Sequence, residues 1–195
     1  MTARAILDRM SRLLGVLINL ALRAAIVAMT AAVLRAKPDD RRFAGKGIGP
    51  RVLMVGLPAT LAVPTVWLAR GGPRGPYPVA VDSLYLSMCA LDLAGNVFDL
   101  YDRYRHFDLI PHAHGAGAVT VAAAWAFDLP PLSAVGVAQV GHILLEAQEH
   151  ASDVLFGTRN VRGTWDTAGD LLAGVVGSLA YAALLSRAGR RARPG

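Results

Sequence analysis

The sequence predicts an all-α protein, a polytopic bundle of transmembrane helices with about six spans. Hydrophobic residues make up 54% of the 195 residues and charged residues only 17%. The mean hydropathy is +0.41, which is also outside the norm for soluble domains. The apolar residues are grouped into stretches of about 20, the length at which a helix crosses a bilayer. We therefore expect a multi-pass protein of a cell membrane.

The first two spans are mainly apolar, and each has one feature that needs an explanation. Arg23 lies near the middle of the first span, where we expect its guanidinium to bond a neighbouring helix. Pro58 and Pro64 should kink the second span, because proline has no N–H to donate within a helix. The basic segment 35–51 between these spans is predicted to be a mobile loop. All predicted spans belong to one domain, residues 1–195, and lie near 13–34, 52–69, 79–100, 109–127, 132–156 and 166–185, before a basic tail at 186–195 that we expect to be disordered.

The third and fourth spans carry polar groups on apolar helices. On the third, Asp92, Asn96 and Asp99 share one face at a spacing of i, i+4 and i+7, and Arg103 continues that line. The fourth opens with Pro111, which suits the first turn of a helix. Its residues His112 and His114 are two apart and cannot share a helical face. Without a backbone distortion, we expect them to meet different neighbours.

The fifth span has the strongest polar pattern in the chain. Its other faces are apolar, and an ionisable group at the centre of a membrane helix costs about 2.5–3.5 kcal/mol on insertion scales, so the polar stripe should face protein, water or a metal. In the sixth span, small residues after the acidic first turns should allow close helix packing. The stripe consists of Gln139, His142, Glu146, Glu149, His150 and Asp153, and the sixth span contributes Asp166, Asp170, Gly174, Gly177 and Ser178.

An antiparallel arrangement of these helices places the polar ends of spans three to six at the same membrane face. All 5 histidines of the chain fall in that region. Because such residues are costly inside a membrane, their common location predicts a functional site there.

The basic residues and the cysteine limit the partners and the chemistry. The formal net charge is +6, but Lys and Arg are scattered among short loops and the termini. This distribution is typical of topogenic signals or of attraction to anionic lipids. We therefore expect membrane lipids as partners and no nucleic acid. The 1 cysteine, Cys89, lies inside a predicted span, so a disulfide framework or cysteine metal site is not expected.

The order of these features resembles that of the uncharacterised bacterial inner-membrane family called YjdF-like. The resemblance covers roughly residues 80 to 185: an acidic third helix, a Pro-His patch, a Glu/His-rich fifth helix and a terminal Gly-rich helix. Its most specific part is Trp165-Asp166-Thr167-Ala168-Gly169-Asp170 together with the Glu/His helix. The resemblance implies a fold and a location in a bacterial inner membrane, and it implies no reaction.

The residue types in this region suit a divalent metal. Imidazole and carboxylate ligands together bind Zn, Mn or Fe, and carboxylate-rich sites also bind Mg. His142 and Glu146 are four residues apart, as are Glu146 and His150, so one helix could supply several ligands. The zincin, ferritin-like, nucleophile-elbow and P-loop motifs are absent from the sequence. The candidate ligands are His112, His142, Glu146, His150, Asp92, Asp99, Asp166 and Asp170.

These residues favour a metal-dependent enzyme that acts on a lipid or another amphiphile. A metal-bound water would be the nucleophile, with Glu146 or Glu149 as proton acceptor and Asp170 as a further catalytic residue. Arg103 and Arg105, with Arg159 or Arg162 nearby, would bind a phosphate head group, since arginine binds phosphate bidentately.

Two alternatives stay open at the level of sequence. In a proton- or cation-coupled transporter, Asp92, Glu146 and Asp170 would line the path. In a purely structural membrane protein, the charged groups would pair internally. The expected pairs are Arg103 or Arg105 with Asp99, His150 with Asp166, and Arg162 with Glu149.

Overall fold

The computed structural model describes the backbone of residues 3–191 and the side chains of residues 8–189, and this part of the chain contains helices and no strand. The prediction of an all-α protein is therefore confirmed. A short 3₁₀ turn, Gly72–Arg74, connects the second and third helices. The helices are α1 (Ala3–Arg35), α2 (Ile48–Ala69), α3 (Val79–Val97), α4 (Leu100–Arg103), α5 (Leu109–Ala126), α6 (Pro131–Phe156) and α7 (Thr164–Arg191).

Three of these helices are long and apolar enough to cross a membrane: α1 over Asp8–Arg35, α2 over Ile48–Ala69 and α7 over Thr164–Gly189. The other three long helices coincide with predicted spans 79–100, 109–127 and 132–156. They carry the acids and histidines of the predicted site, and these polar residues lower their hydropathy.

Several boundaries differ from the predicted ones. Helix α3 ends at Val97, because Asp99 adopts a left-handed backbone with φ 59°. The helical line from Asp92 is therefore broken before Arg103, contrary to the prediction. Helix α2 begins at Ile48, inside the segment predicted to be a loop. Helix α7 continues to Arg191, beyond the predicted end of the sixth span, and residues 192–195 of the predicted tail lie outside the described residues.

The irregularity expected in α2 is present. The helix is π-helical over Val52–Gly56, and a turn at residues 60–61 separates its two α-helical parts. Pro64 cannot donate a hydrogen bond to the carbonyl of Thr60, four residues earlier. Arg23 of α1 donates to that carbonyl instead, at 3.2 Å. The arginine predicted to bond a neighbouring helix thus satisfies a backbone group that proline leaves free.

Helix α5 lies at the centre of the bundle and packs on α3, α6 and α7. Its contact with α7 depends on glycines, as the small residues predicted. A Cβ on Gly177 would lie 1.8 Å from the carbonyl oxygen of Ala113, and one on Gly117 would lie 2.4 Å from the ring of Tyr181. This close approach brings the first turns of α5 and α7 together with α6, where the polar residues of all three helices meet.

Candidate metal centre

Three side chains from α5 and α6 meet at one point inside the bundle. His112 Nδ1 lies 2.7 Å from His142 Nε2 and 3.6 Å from Glu146 Oε1. His142 Nε2 lies 3.7 Å from the same carboxylate oxygen. A circle through these three atoms has a radius of about 2.0 Å, which is the length of a zinc bond to imidazole nitrogen or carboxylate oxygen. The geometry therefore fits one ion bound by all three residues.

The three side chains are almost fully removed from solvent. The exposed fractions are 10% for His112, 4% for His142 and 6% for Glu146. Two of their polar atoms, His142 Nδ1 and Glu146 Oε1, have no hydrogen-bond partner among the described residues. Because an unpaired buried polar atom costs about 1–3 kcal/mol, native structures rarely leave one without a reason. Glu146 Oε1 faces both imidazoles, and a bound cation would satisfy it.

Two further acids lie on the opposite side of His112. His112 Nε2 is 3.4 Å from Asp108 Oδ1 and 3.9 Å from Asp170 Oδ1. Carboxylates beside the second ring nitrogen of a metal-bound histidine fix its tautomer and orientation. When the imidazole of His112 carries its proton on Nε2, the lone pair on its Nδ1 faces His142 and Glu146. Asp108 and Asp170 are therefore placed to position His112.

The imidazole of His142 is held by the backbone of α7. A Cβ on Gly174 would lie 2.0 Å from His142 Nδ1, so the ring occupies the space that any larger residue would need. Next to it, Gln139 donates a hydrogen bond to Ser178 Oγ at 2.8 Å. The small residues of α7 thus serve two purposes, since they allow close helix packing and also make room for a candidate ligand.

Two of the three candidate ligands, His112 and His142, border a cavity of about 380 Å³. His112, His142, Asp108 and Glu149 line one side of it. This volume is within the range of about 300–1,000 Å³ that is usual for small-molecule sites. The cavity extends from the loops beyond α4 and α6 into the apolar interior between α2, α3, α5 and α6.

An ion-pair network lies along the cavity, next to the candidate ligands. Arg51 Nη1 is 2.7 Å from Glu149 Oε1, and Arg51 Nη2 is 3.7 Å from Asp92 Oδ1. Tyr101 donates its hydroxyl proton to Asp92 at 2.9 Å. These contacts link α2, α3 and α6, and they neutralise the charge of Arg51.

Another ion pair lies at the mouth of the cavity, outside the predicted spans. Lys46 Nζ is 2.7 Å from Asp102 Oδ2. This hydrogen bond lowers the pKa of the Asp102 carboxyl below its usual value. The pair therefore stays ionised near neutral pH, and the charge of Lys46 is also neutralised.

The structure brings only some of the predicted site residues together. His112, His142, Glu146 and Asp170 form the centre, and Glu149 and Asp92 line the adjoining cavity. His150 is exposed and lies 3.3 Å from Thr167 Oγ1, whereas Asp166 accepts a hydrogen bond from the backbone N–H of Arg162. The residues predicted as ligands or substrate contacts that belong to neither the centre nor the cavity lining are Asp99, His150, Asp166, Arg103 and Arg105.

The internal ion pairs expected of a structural protein also differ. Among the described side chains, Glu149 pairs with Arg51 and not with Arg162, and neither Asp99 nor Asp166 forms an ion pair. His114 also has its own partners, as its spacing from His112 predicted. Its Nε2 lies 2.9 Å from Ser87 Oγ and its Nδ1 lies 2.8 Å from the Tyr181 hydroxyl.

Two residues that matter here were absent from the predicted site. Asp108 precedes His112 by one helical turn, and this i, i+4 spacing is a signal that the sequence does contain. Arg51 gives no comparable signal, because it is one of several basic residues in a segment predicted to be a loop. Its position opposite Glu149 depends on the packing of α2.

Comparisons of the chain with protein-family models, with curated proteins and with solved structures find no match.

Proposed function

We propose that this chain is a metal-dependent membrane enzyme that hydrolyses an amphiphile, with His112, His142 and Glu146 as the metal ligands. The observation that carries the proposal is the triangle of Nδ1, Nε2 and Oε1 atoms, whose separations suit one ion. Two imidazoles and one carboxylate form the ligand set of several catalytic zinc and iron sites, which keep a coordination position open for water or substrate. Zinc suits both the ligand types and the separations.

The membrane location supports an amphiphilic substrate. In this proposal all six long helices cross the bilayer, because α3, α5 and α6 bury their polar residues against one another while their outer faces carry apolar side chains. The site then lies at the depth of the membrane interface, near the loops that follow α3 and α6. Membership of the YjdF-like family belongs to the same proposal and rests on the residues between 80 and 185.

The surrounding residues have distinct roles in this reaction. A bound ion would supply Lewis acidity to a water or to a substrate oxygen. Glu149 lines the cavity one turn from Glu146, and in this proposal it accepts the proton of the attacking water. The water oxygen then bonds to the electrophilic atom, the bond to the leaving group breaks, and the proton passes to that group. Asp108 and Asp170 position His112.

Metal analysis of the protein purified in detergent tests the proposal. We expect a stoichiometric transition metal in the wild type and its loss in His142→Ala. His150→Ala is the matched control, because it removes an imidazole from the exposed side of the same helix and should keep the metal. A wild type that holds no transition metal after purification and reconstitution with Zn²⁺, Mn²⁺ or Fe²⁺ would contradict it.

Hydrolysis is tested separately by phosphate release from dodecyl phosphate in the presence of the metal. Glu149→Gln should keep the bound metal and lose phosphate release by about 10²–10⁴-fold, the usual contribution of a positioned proton acceptor. Equal release by the wild type and by Glu149→Gln would show that another group accepts the proton.

A further inference from the structure

Two arginines at the mouth of the cavity form no direct ion pair with an acid. Arg159 and Arg162 both line it, and among the described side chains neither forms an ion pair with a carboxylate. The guanidinium of Arg162 donates to the carbonyl of Tyr101 at 3.1 Å, and the backbone N–H of Arg159 donates to the carbonyl of Gly45 at 2.8 Å. These contacts hold the two residues at the mouth and leave two positive charges there.

The opposite end of the cavity is apolar. The lining residues of the cavity run along α5 from Asp108, which directly precedes the helix at the mouth, to Val119, a distance of about 16 Å at 1.5 Å per residue. Beyond His112 and Arg51 the lining consists mainly of aliphatic side chains, including Val55, Val119 and Leu145. One cavity therefore combines a cationic mouth with a long apolar interior.

Where α2 and α6 meet, the wall of the cavity has the least direct helix packing. Both helices line it, yet the extensive packing of α6 is with α5 and α7 only. The ion pair between Arg51 and Glu149 connects α2 to α6. Helix α2 is irregular on this side, since its π-helical part begins directly after Arg51. Among the described residues, α2 and α6 are therefore joined at the cavity by this ion pair and by little direct packing.

We infer that the cavity binds a single-chain lipid with a phosphate-type head group from the bilayer, with the head at Arg159 and Arg162 and the chain between α2 and α6. Arginine is the preferred side chain for such anions, because its planar guanidinium donates two parallel hydrogen bonds. The inference names the substrate class of the proposed enzyme and so rests on the proposed function, although the binding itself needs no metal.

Calorimetric titration with dodecylphosphonate tests this binding, because its P–C bond resists hydrolysis. Protein and ligand are held in the same dodecyl maltoside micelles, which supply an excess of neutral-headed twelve-carbon chains. We expect the double variant Arg159→Ala/Arg162→Ala to bind at least about tenfold more weakly than the wild type, since two charge-assisted contacts are lost. The double variant Arg103→Ala/Arg105→Ala removes the same charge from exposed positions outside the cavity and should bind like the wild type.

Two shorter probes distinguish a lipid from a free anion. Butylphosphonate and inorganic phosphate carry the same type of head group, and both should bind at least about tenfold more weakly than dodecylphosphonate if the apolar interior holds the chain. Equal affinity for all three would overturn the lipid inference. Equal weakening by both double arginine variants would also overturn it, because the effect would then follow net charge.

The same titration on chelator-treated protein separates this inference from the proposed function. Binding that needs Arg159 and Arg162 but no metal supports the lipid site even if metal analysis fails. A stoichiometric metal with no arginine-dependent binding overturns the lipid site and leaves the metal proposal standing.

Discussion

The bundle contains two buried polar clusters that differ in how their charges are matched. In the first, between α1 and α3, Asp82 Oδ2 accepts hydrogen bonds from Arg23 at 2.6 Å, Tyr77 at 2.7 Å and Asn19 at 2.8 Å. In the second, His112 and His142 face Glu146, and among the described side chains no arginine or lysine pairs with this carboxylate. The first cluster consists of donors around one acceptor, whereas the second consists of three candidate ligand atoms around one point.

This difference gives a criterion for distinguishing buried charged residues that stabilise the fold from those that are candidates for ligand binding. Asp82 is fully buried and keeps one oxygen, Oδ1, without a partner, but its charge is balanced by Arg23. Such a pair ties two helices together and leaves no need for a ligand. Glu146 differs, because its neighbours can also act as metal ligands and its buried oxygen Oε1 has no donor among the described residues. The two clusters should therefore respond to mutation in opposite ways.

The largest effect on stability is expected at the matched cluster. Asp82→Ala leaves Arg23 without its partner, and because the Arg23 side chain is 29% exposed, we expect a loss somewhat below the about 3–5 kcal/mol of a fully buried pair. Unfolding of the purified protein in detergent should show this loss, while the metal content of the folded fraction stays that of the wild type. The double change Arg23→Leu/Asp82→Leu should recover only part of the stability, since it removes the unpaired charge but leaves the Thr60 carbonyl and the Tyr77 hydroxyl without their partners. Loss of metal in folded Asp82→Ala would mean that the two clusters are not independent.

The second effect is expected on metal binding. Glu146→Gln preserves the shape of the side chain and should keep the fold, but its affinity for metal should fall by more than about 100-fold, because even residues behind the ligands contribute about 10- to 100-fold. Competition with a chromogenic zinc chelator measures this affinity.

Glu146→Leu sharpens the same comparison. In chelator, this variant should melt at or above the temperature of the chelated wild type, as buried ionic sites replaced by apolar groups often do. Asp82→Leu should melt well below it. The contrary result would be a wild type whose melting temperature does not change with chelator, together with lower melting temperatures for both Glu146→Gln and Glu146→Leu. Glu146 would then stabilise the fold as Asp82 does.

A third, smaller effect is expected at Gly174, which touches the metal centre only through His142. Its Cβ in Gly174→Ala would lie 2.0 Å from His142 Nδ1, so the imidazole must move. We expect metal affinity to fall by about tenfold or more and stability by about 1–3 kcal/mol, as in other overpacked interiors. Gly136→Ala on α6 is the control, because its Cβ meets no atom within 4 Å. It should leave metal affinity unchanged, and equal loss in both variants would contradict the assigned contact.

A last effect, on metal binding alone, is expected behind the ligands. Asp170 is 6% exposed and lies beside His112, so Asp170→Asn should weaken metal binding by about 10- to 100-fold. Asp166→Asn should change it little, since Asp166 bonds the backbone N–H of Arg162 at 2.9 Å and lies outside the centre. The reverse order in a metal titration would show that the centre lies closer to the start of α7.

By itself, the sequence determined the helices and the region of the site. Hydropathy and the prolines predicted α2 and its irregularity, and the stripe on α6 placed His142 and Glu146 on one face because the helical period is a local property. The sequence also contains the i, i+4 spacing that brings Asp108 and His112 together. Gly174 and Gly177 predicted close packing, since only small residues permit it.

Only the tertiary structure decided which polar residues meet. Asp92 and Asp99 share a face by spacing, but the left-handed turn at Asp99 ends the helix and separates them. Arg51 pairs with Glu149 across 98 positions of the chain, and His112 meets His142 across 30. Such contacts depend on how α2, α5 and α6 rotate and slide against one another. The packing of side chains that are far apart in the sequence sets the relative orientation and offset of these helices. A local pattern in the sequence carries no information about that packing.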